Sequence, residues 1–176
     1  EHAQPSSLEL SVIVPARNEE RSLAECLTSL VQQSDPGFEL GKQWELIVVD
    51  DDSTDGTRKI AEAAAASHAG VTVMNAPPLD VSERGGFTGK TNACWAAAQI
   101  AQGGHLLFTD ADTVHEPGSL SRALREAERH HAALLSYSPR QVVRGFWQRA
   151  VMPLIFSELA SVYSPKDVSD PARPIA

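Results

Sequence analysis

The stretch Trp44–His68, WELIVVDDDSTDGTRKIAEAAAASH, decides the fold. Glu45–Val49 is a short β-branched run, which reads as a strand. It ends in three consecutive acids, Asp50, Asp51 and Asp52, followed by turn residues. Beyond Gly56 the chain turns Ala-rich and helical. Asp55 is placed to cap that helix through the amides of Gly56 and Thr57. A strand that passes through a polar turn into a helix is half of a βαβ unit, so the flanking sequence is read for repeats of the same alternation.

On the N-terminal side, residues 1–9 are a polar tail and LSVIVPA (Leu10–Ala16) is a buried strand. In NEERSLAECLTSLVQQ, Leu23, Cys26, Leu27, Leu30 and Val31 give one apolar helical face, with Asn18 as the expected N-cap. On the other side, VTVMNA (71–76) is a third strand. Pro77–Gly89 is a loop made pliable by Gly85, Gly86 and Gly89, and KTNACWAAAQIAQ is a helix stopped by Gly103-Gly104. HLLFTDADT (105–113) reads as a buried fourth strand ending in carboxylates. EPGSLSRALREAERHH is a helix with Pro117 near its start and Leu120, Ala123, Leu124 and Ala127 inward. AALLSYS (132–138) reads as a fifth strand, and Gln141–Tyr163 as helical and apolar-rich. The order β-α-β-α-β-α-β-α-β implies an α/β fold, with a mostly parallel sheet covered by helices on both faces. The expected division is a tail (1–9), a ligand-binding α/β unit (10–140) and an apolar helical segment opening a second half (141–176).

At 176 residues, 42% of them hydrophobic, the chain suits one globular domain. A net charge of −8 without a basic stripe argues against nucleic acid as a partner. It also means that an anionic ligand needs a local cation, either a metal or a few placed Lys and Arg residues. Cys26 and Cys94 belong to no CxxC pattern and read as free thiols in a reducing compartment, hence a cytoplasmic location. No signal peptide is visible. The apolar run Ala150–Tyr163 holds Pro153 and Glu158 and is too short to span a bilayer. A chain that starts at Glu1 and closes on SDPARPIA is expected to be a processed, trimmed or internal piece, cut short at its C-terminus.

In open α/β sheets, ligands bind beyond the carboxyl ends of the strands. Three strands run into polar clusters there: Pro15-Ala16-Arg17-Asn18-Glu19, Asp50-Asp51-Asp52 and Asp110-Ala111-Asp112. Taken singly, an acidic strand end is a helix cap or a solvated turn. Three at one sheet edge bring carboxylates close enough to repel, which demands a cation or hydrogen-bond donors. Asp-x-Asp offers hard oxygen ligands to Mg²⁺ or Mn²⁺, with diphosphate oxygens completing the shell. Lys90, after Gly89 at a helix start, is either a solvated lysine or a cation that joins the free amides in holding a phosphate.

Two decoys fail on context. Asp51, Ser53, Asp55, Gly56 and Glu62 match a relaxed calcium loop, but such a loop follows a helix and ELIVV is β-branched. GFTGKT is no Walker loop, because the first glycine of GxxxxGK[ST] falls on Arg84. The histidines have no metal-ligand spacing, most read as surface residues, and no Ser-His-Asp or Cys-His arrangement can be argued.

With these residues in place, the chain resembles the family 2 glycosyltransferases from about Leu10 to Ser138. The resemblance rests on SVIVPARNEE, ELIVVDDDSTDGT and LLFTDADT at ordinary spacing. GGFTGKTNACWAAAQ, FWQRAVMPLIF and VSDPARPIA are similar to a subgroup that glycosylates lipid-like acceptors, such as the hopanoid-associated and carotenoid glycosyltransferases. The resemblance implies a GT-A, Rossmann-like fold and transfer of a sugar from a nucleoside diphosphate sugar, UDP-linked, to an acceptor hydroxyl. Pro15, Ala16, Arg17 and Glu19 then line the nucleoside pocket, and Asp51 accepts a hydrogen bond from the base. Lys90 lies near the phosphates. Asp110, with Ala111 beside it, faces the ribose or metal, and Asp112 binds the Mg²⁺ or Mn²⁺.

The base that deprotonates the acceptor belongs to a motif expected beyond Ala176. Glu158, Asp167 and Asp170 sit in no matching motif. Residues 146–163 are either a core or cover helix or a peripheral membrane contact at the inner face, with Arg144, Trp147 and Arg149 near headgroups. A sugar-phosphate nucleotidyltransferase is disfavoured because PARNEERS lacks that class's glycine-rich loop. A non-catalytic nucleotide-binding module stays open as the alternative.

Overall fold

In a computed structural model, which describes residues 8–33, 35–78, 88–138, 140–143 and 145–162, Leu10–Ala16 forms strand β1 at the interior of a four-stranded sheet. Helix α1 (Leu23–Val31), β2 (Trp44–Asp50), α2 (Thr57–Ser67), β3 (Val71–Asn75), α3 (Gly89–Ile100), β4 (His105–Phe108) and α4 (Ser119–Arg129) follow in alternation. The strand order is β3-β2-β1-β4 and every pair is parallel. Ala16 stands beside Asp50, and Asp50 beside Asn75, so the strand ends are level. The chain steps outward from β1 to β3, then returns through α3 to the other side of β1. This reversal makes the carboxyl ends of β1 and β4 the topological switch point, where open α/β sheets bind ligands.

Two apolar clusters cover the two faces. Side chains alternate along a strand. Val12, Val14, Leu46 and Val48 therefore pack with Leu23, Cys26, Leu27 and Leu30 of α1, Ala61 of α2, and Leu120 and Leu124 of α4. Ile13, Ile47 and Val49 point the other way, onto Ala93 and Ala97 of α3. Those alanines are one turn apart and give α3 a flat, small-residue face. Gly103 is required where the chain crosses β1: a Cβ there would lie 2.4 Å from the Leu10 carbonyl carbon. Its N–H donates to Ser11 Oγ at 2.8 Å, and Ser11 donates to Glu45 Oε1 at 2.6 Å.

Several expectations are corrected. Residues 132–138 form no strand. Leu134 is 88% exposed, and a run of apolar residues becomes a strand only where a neighbouring edge takes its backbone groups. β4 is thus an edge strand rather than a buried one, with Leu106 and Phe108 both exposed. Asn18 does not cap α1. Ser22 holds that position, and Asn18 adopts left-handed backbone (φ 56°) and turns toward the loop after β2. Asp55 accepts from the Thr57 amide at 3.0 Å, but the Gly56 amide goes to Glu20 Oε2 at 2.9 Å. The tail up to residue 7, the loop glycines Gly85 and Gly86, Arg84, Arg144, Tyr163, Asp167 and Asp170 lie outside the described residues.

The chain divides into two compact units, Glu1–Ser136 and Tyr137–Ala176. In the second, helix α5 (Phe146–Val162) contains Pro153 and exposes Phe146, Trp147 and Leu154. No described helix is long and apolar enough to cross a membrane.

Candidate functional site

Pro15, Ala16, Arg17, Glu19, Asp51, Lys90, Asp110, Ala111 and Asp112 line one open depression of about 230 Å³ at the switch point. These are the nine residues given binding roles from the sequence, and the fold brings all of them together; Asn18, Asp50 and Asp52 of the same strand-end clusters do not line it.

The wall after β1 and β2 is built by pairing two loops. The Asp51 amide donates to Ala16 O at 2.9 Å and carries the β1–β2 ladder one step past the strands. Beyond it, the Asn18 amide donates to Ser53 Oγ at 3.1 Å, and Asn18 Oδ1 accepts from the Thr54 amide at 2.8 Å. The Glu19 amide donates to Thr57 Oγ1 at 2.7 Å, and the Glu20 amide to Asp55 Oδ2 at 3.2 Å. Glu19 is further held by Ser22 Oγ, which donates to its Oε2 at 2.6 Å. Backbone donors that would otherwise need water are thereby satisfied between the loops. Asp51 sits deep in this wall, its side chain 17% exposed, with Arg17 Nη1 3.4 Å from Oδ2 at the rim.

The opposite wall follows β4. Thr109 N–H donates to Ile13 O at 3.1 Å, and Thr113 N–H to Asp110 O at 3.1 Å, closing a turn. Ala111 is buried and pins that turn to the core, while Asp110 and Asp112 on either side are exposed. Lys90, one residue into α3, reaches across to pair with Asp110 Oδ1. That hydrogen bond holds its ammonium pKa above the ordinary lysine value. Beneath the turn, burial, reinforced by the charge of Asp112, pushes the Cys26 thiol up to about 12. Burial also raises the half-buried Cys94 thiol. His115 departs from the surface reading of the histidines: it is partly buried, its Nε2 lies 3.0 Å from Thr109 Oγ1, and burial lowers its pKa.

Four carboxylates (Glu19, Asp51, Asp110, Asp112) and two cations (Arg17, Lys90) face this depression. Among the described residues no three His, Cys, Asp or Glu side chains cluster as a ready-made metal cage. Asp110 and Asp112 nevertheless fit Mg²⁺ or Mn²⁺, which keeps several waters and uses one or two carboxylates plus ligand phosphates. The calcium-loop alternative fails, because Trp44–Asp50 is a strand. The sequence reading missed the loop-pairing residues Asn18, Ser53, Thr54 and Glu20, and the contacts of Cys26, Ser29 and Gln33 under the Asp110 turn. Ser29 and Gln33 give a local signal only as polar residues recurring beside the apolar stripe of α1, and the loop residues give none.

Comparison with known proteins places this geometry. Residues 11–173 match the family model described as glycosyl transferase family 2. The 4,4'-diaponeurosporenoate glycosyltransferase of Staphylococcus haemolyticus is 35% identical over 76% of this chain and 32% of its own length. The undecaprenyl-phosphate 4-deoxy-4-formamido-L-arabinose transferase of Shewanella sediminis is 31% identical over 68% of this chain and 33% of its own. The chain spans about a third of these relatives. Among solved structures, S. aureus TarS 1-349 in complex with UDP superposes with a TM-score of 0.55 at 29% identity, covering 78% of this chain and 38% of that one. The mannosyltransferase PcManGT from Pyrobaculum calidifontis, in complex with GDP-Man and Mn²⁺, gives 0.52 at 28% identity, covering 68% and 32%. The sheet is that of a GT-A fold, and the chain belongs to glycosyl transferase family 2.

Proposed function

We propose that this chain is the donor-binding part of a glycosyltransferase that moves a sugar from a UDP-linked donor to an acceptor hydroxyl on a lipid-like molecule, with Mg²⁺ or Mn²⁺. The observation that carries the proposal is the meeting of Asp51, from the end of β2, with Asp110 and Asp112, after β4, in a depression that also holds Arg17 and Lys90. One solved relative, S. aureus TarS 1-349, was captured both with UDP-GlcNAc and with UDP, and a second, PcManGT, with GDP-Man and Mn²⁺.

In this reading Pro15, Ala16, Arg17 and Glu19 form the nucleoside wall, and Asp51 accepts a hydrogen bond from the base. Lys90 leaves Asp110 for the phosphates, aided by the helix N-terminus at the start of α3. Asp110 and Asp112 hold the metal, Asp110 also facing the ribose. A bound divalent ion offsets the negative charge that develops on a departing diphosphate. The lipid-like acceptor is supported by the relatives' names, which specify diaponeurosporenoate and undecaprenyl phosphate. The exposed Phe146, Trp147 and Leu154 of α5 are apolar groups suited to the headgroup boundary at the inner face of a membrane.

Calorimetry with UDP and Mn²⁺, alongside hydrolysis of UDP-glucose, tests the donor site. Asp112→Ala is expected to abolish Mn²⁺-dependent UDP binding and to leave the fold nearly intact, because Asp112 is exposed. A protein that Asp112→Ala unfolds, and that never bound UDP in a metal-dependent way, contradicts the proposal. Binding without hydrolysis favours the non-catalytic module, for which all four lining acids already serve donor binding.

A further inference from the structure

Asp110 and Asp112 follow a four-residue edge strand, so the sheet alone gives their loop little support. The support comes from below. Cys26, Ser29 and Gln33, spaced by three and four residues, share one side of α1 and its C-terminal continuation. Each meets the backbone of residues 110–116. Cys26 Sγ donates to Asp110 O at 3.6 Å, Ser29 Oγ accepts from His115 N–H at 3.0 Å, and Gln33 Nε2 donates to Glu116 O at 3.0 Å.

The three anchors are themselves interlocked. Ser29 Oγ donates to Cys26 O at 2.7 Å, and Gln33 Nε2 also donates to Ser29 O at 3.1 Å. With carbonyl acceptors on both sides, the Gln33 amide has one orientation. Cys26 is fully buried and Gln33 nearly so, and neither they nor Ser29 line the depression. The anchors hold both ends of the loop and leave Asp112 between them. A site shared by a metal and a diphosphate tolerates displacements of only about 0.5 Å.

We propose that Cys26, Ser29 and Gln33 are positioning residues, through which α1 sets the affinity of the Asp110–Asp112 loop for a metal-bound diphosphate. The proposal rests on the donor-site reading above. The test measures dissociation constants for UDP with Mn²⁺ and for uridine alone, together with thermal stability. The proteins are the wild-type chain, Ser29→Ala, Gln33→Met, Ser29→Thr, and Val73→Ala as a control on the far edge of the sheet. Ser29→Ala and Gln33→Met are expected to weaken Mn²⁺–UDP binding about tenfold without changing uridine binding. Ser29→Thr restores it, and Val73→Ala lowers stability while leaving both affinities alone. Wild-type Mn²⁺–UDP affinity in Ser29→Ala and Gln33→Met, or an equal loss in Val73→Ala, overturns the positioning role alone. A wild-type chain that binds no Mn²⁺–UDP overturns the donor-site reading and this inference with it.

Discussion

The carboxylate of Asp51 lies against the α-carbon of Gly89: a Cβ built on that glycine would fall 2.6 Å from Asp51 Oδ2. The end of β2 and the start of α3 therefore touch through a residue type that has no side chain. Gly89 lies outside the left-handed region, so its requirement is space, not backbone conformation. Gly→Ala in a helix ordinarily gains up to about 1 kcal/mol. Gly89→Ala is expected to forfeit that gain and, by pushing Asp51 off the wall, to weaken UDP binding about tenfold, or 1.4 kcal/mol. Thermal melts and calorimetry decide it. A variant that is more stable and binds normally shows that Asp51 moves aside freely.

Lys90 is the cation nearest the paired acids, and its bond to Asp110 is exposed at both ends. Exposed pairs contribute little to stability, so Lys90→Met should change stability by no more than about 0.5 kcal/mol. Its effect is expected on the ligand: about tenfold weaker UDP binding, a shallower dependence on salt, and unchanged uridine binding. Equal losses for UDP and uridine would mean that Lys90 shapes the wall instead of meeting phosphate.

How much of this was legible in the sequence depended on how far each residue looks along the chain. β1, β2 and α1 were readable because Leu10–Ala16, Trp44–Asp50 and the stripe from Leu23 to Leu30 carry their pattern within a few residues. The lining residues other than Lys90 were readable because they end or directly follow strands, and a parallel sheet brings strand ends level; Lys90 was readable as the cation after Gly89 at a helix start. The failed fifth strand shows the limit: Leu134 and Leu135 have the right composition, but a ladder depends on a partner edge that local sequence does not specify. Asn18 failed for the same reason, since its contacts on Ser53 and Thr54 lie 35 and 36 residues away. The supports from Cys26, Ser29 and Gln33 span 83 to 86 residues.

His115 makes stability depend on acid pH. Burial depresses its folded pKa below the ordinary histidine value of 6.5. Its neutral form is favoured in the folded state, so the associated stability is present above about 6.5 and is lost as pH falls through the lower folded value. Urea unfolding followed from neutral to acid pH should show a steeper decline for the wild type than for His115→Asn, which has no proton to take up. Parallel curves would leave the acid limb to carboxylates such as Asp55, whose pKa is lowered chiefly by the Thr57 hydroxyl.

Cys26 has the opposite sign. Its folded pKa is raised from 9.0 to about 12, because a thiolate buried beside Asp112 and Asp110 is disfavoured. The unfolded chain ionises first as pH rises. The stability linked to Cys26 is thus whole below about 9 and is lost as pH climbs toward the folded value. Cys26→Ala removes that alkaline decline but leaves a small cavity, while the Asp110 carbonyl keeps the Thr113 N–H, at a constant cost of about 0.5–3 kcal/mol. The same burial predicts selective chemistry. A thiol reagent should modify the half-buried Cys94 in the native chain and reach Cys26 only after denaturation. Native-state modification of Cys26 at a rate matching Cys94 would show that α1 opens away from the Asp110 turn. The Asp110–Asp112 loop would then lack the rigid floor that Cys26, Ser29 and Gln33 give it.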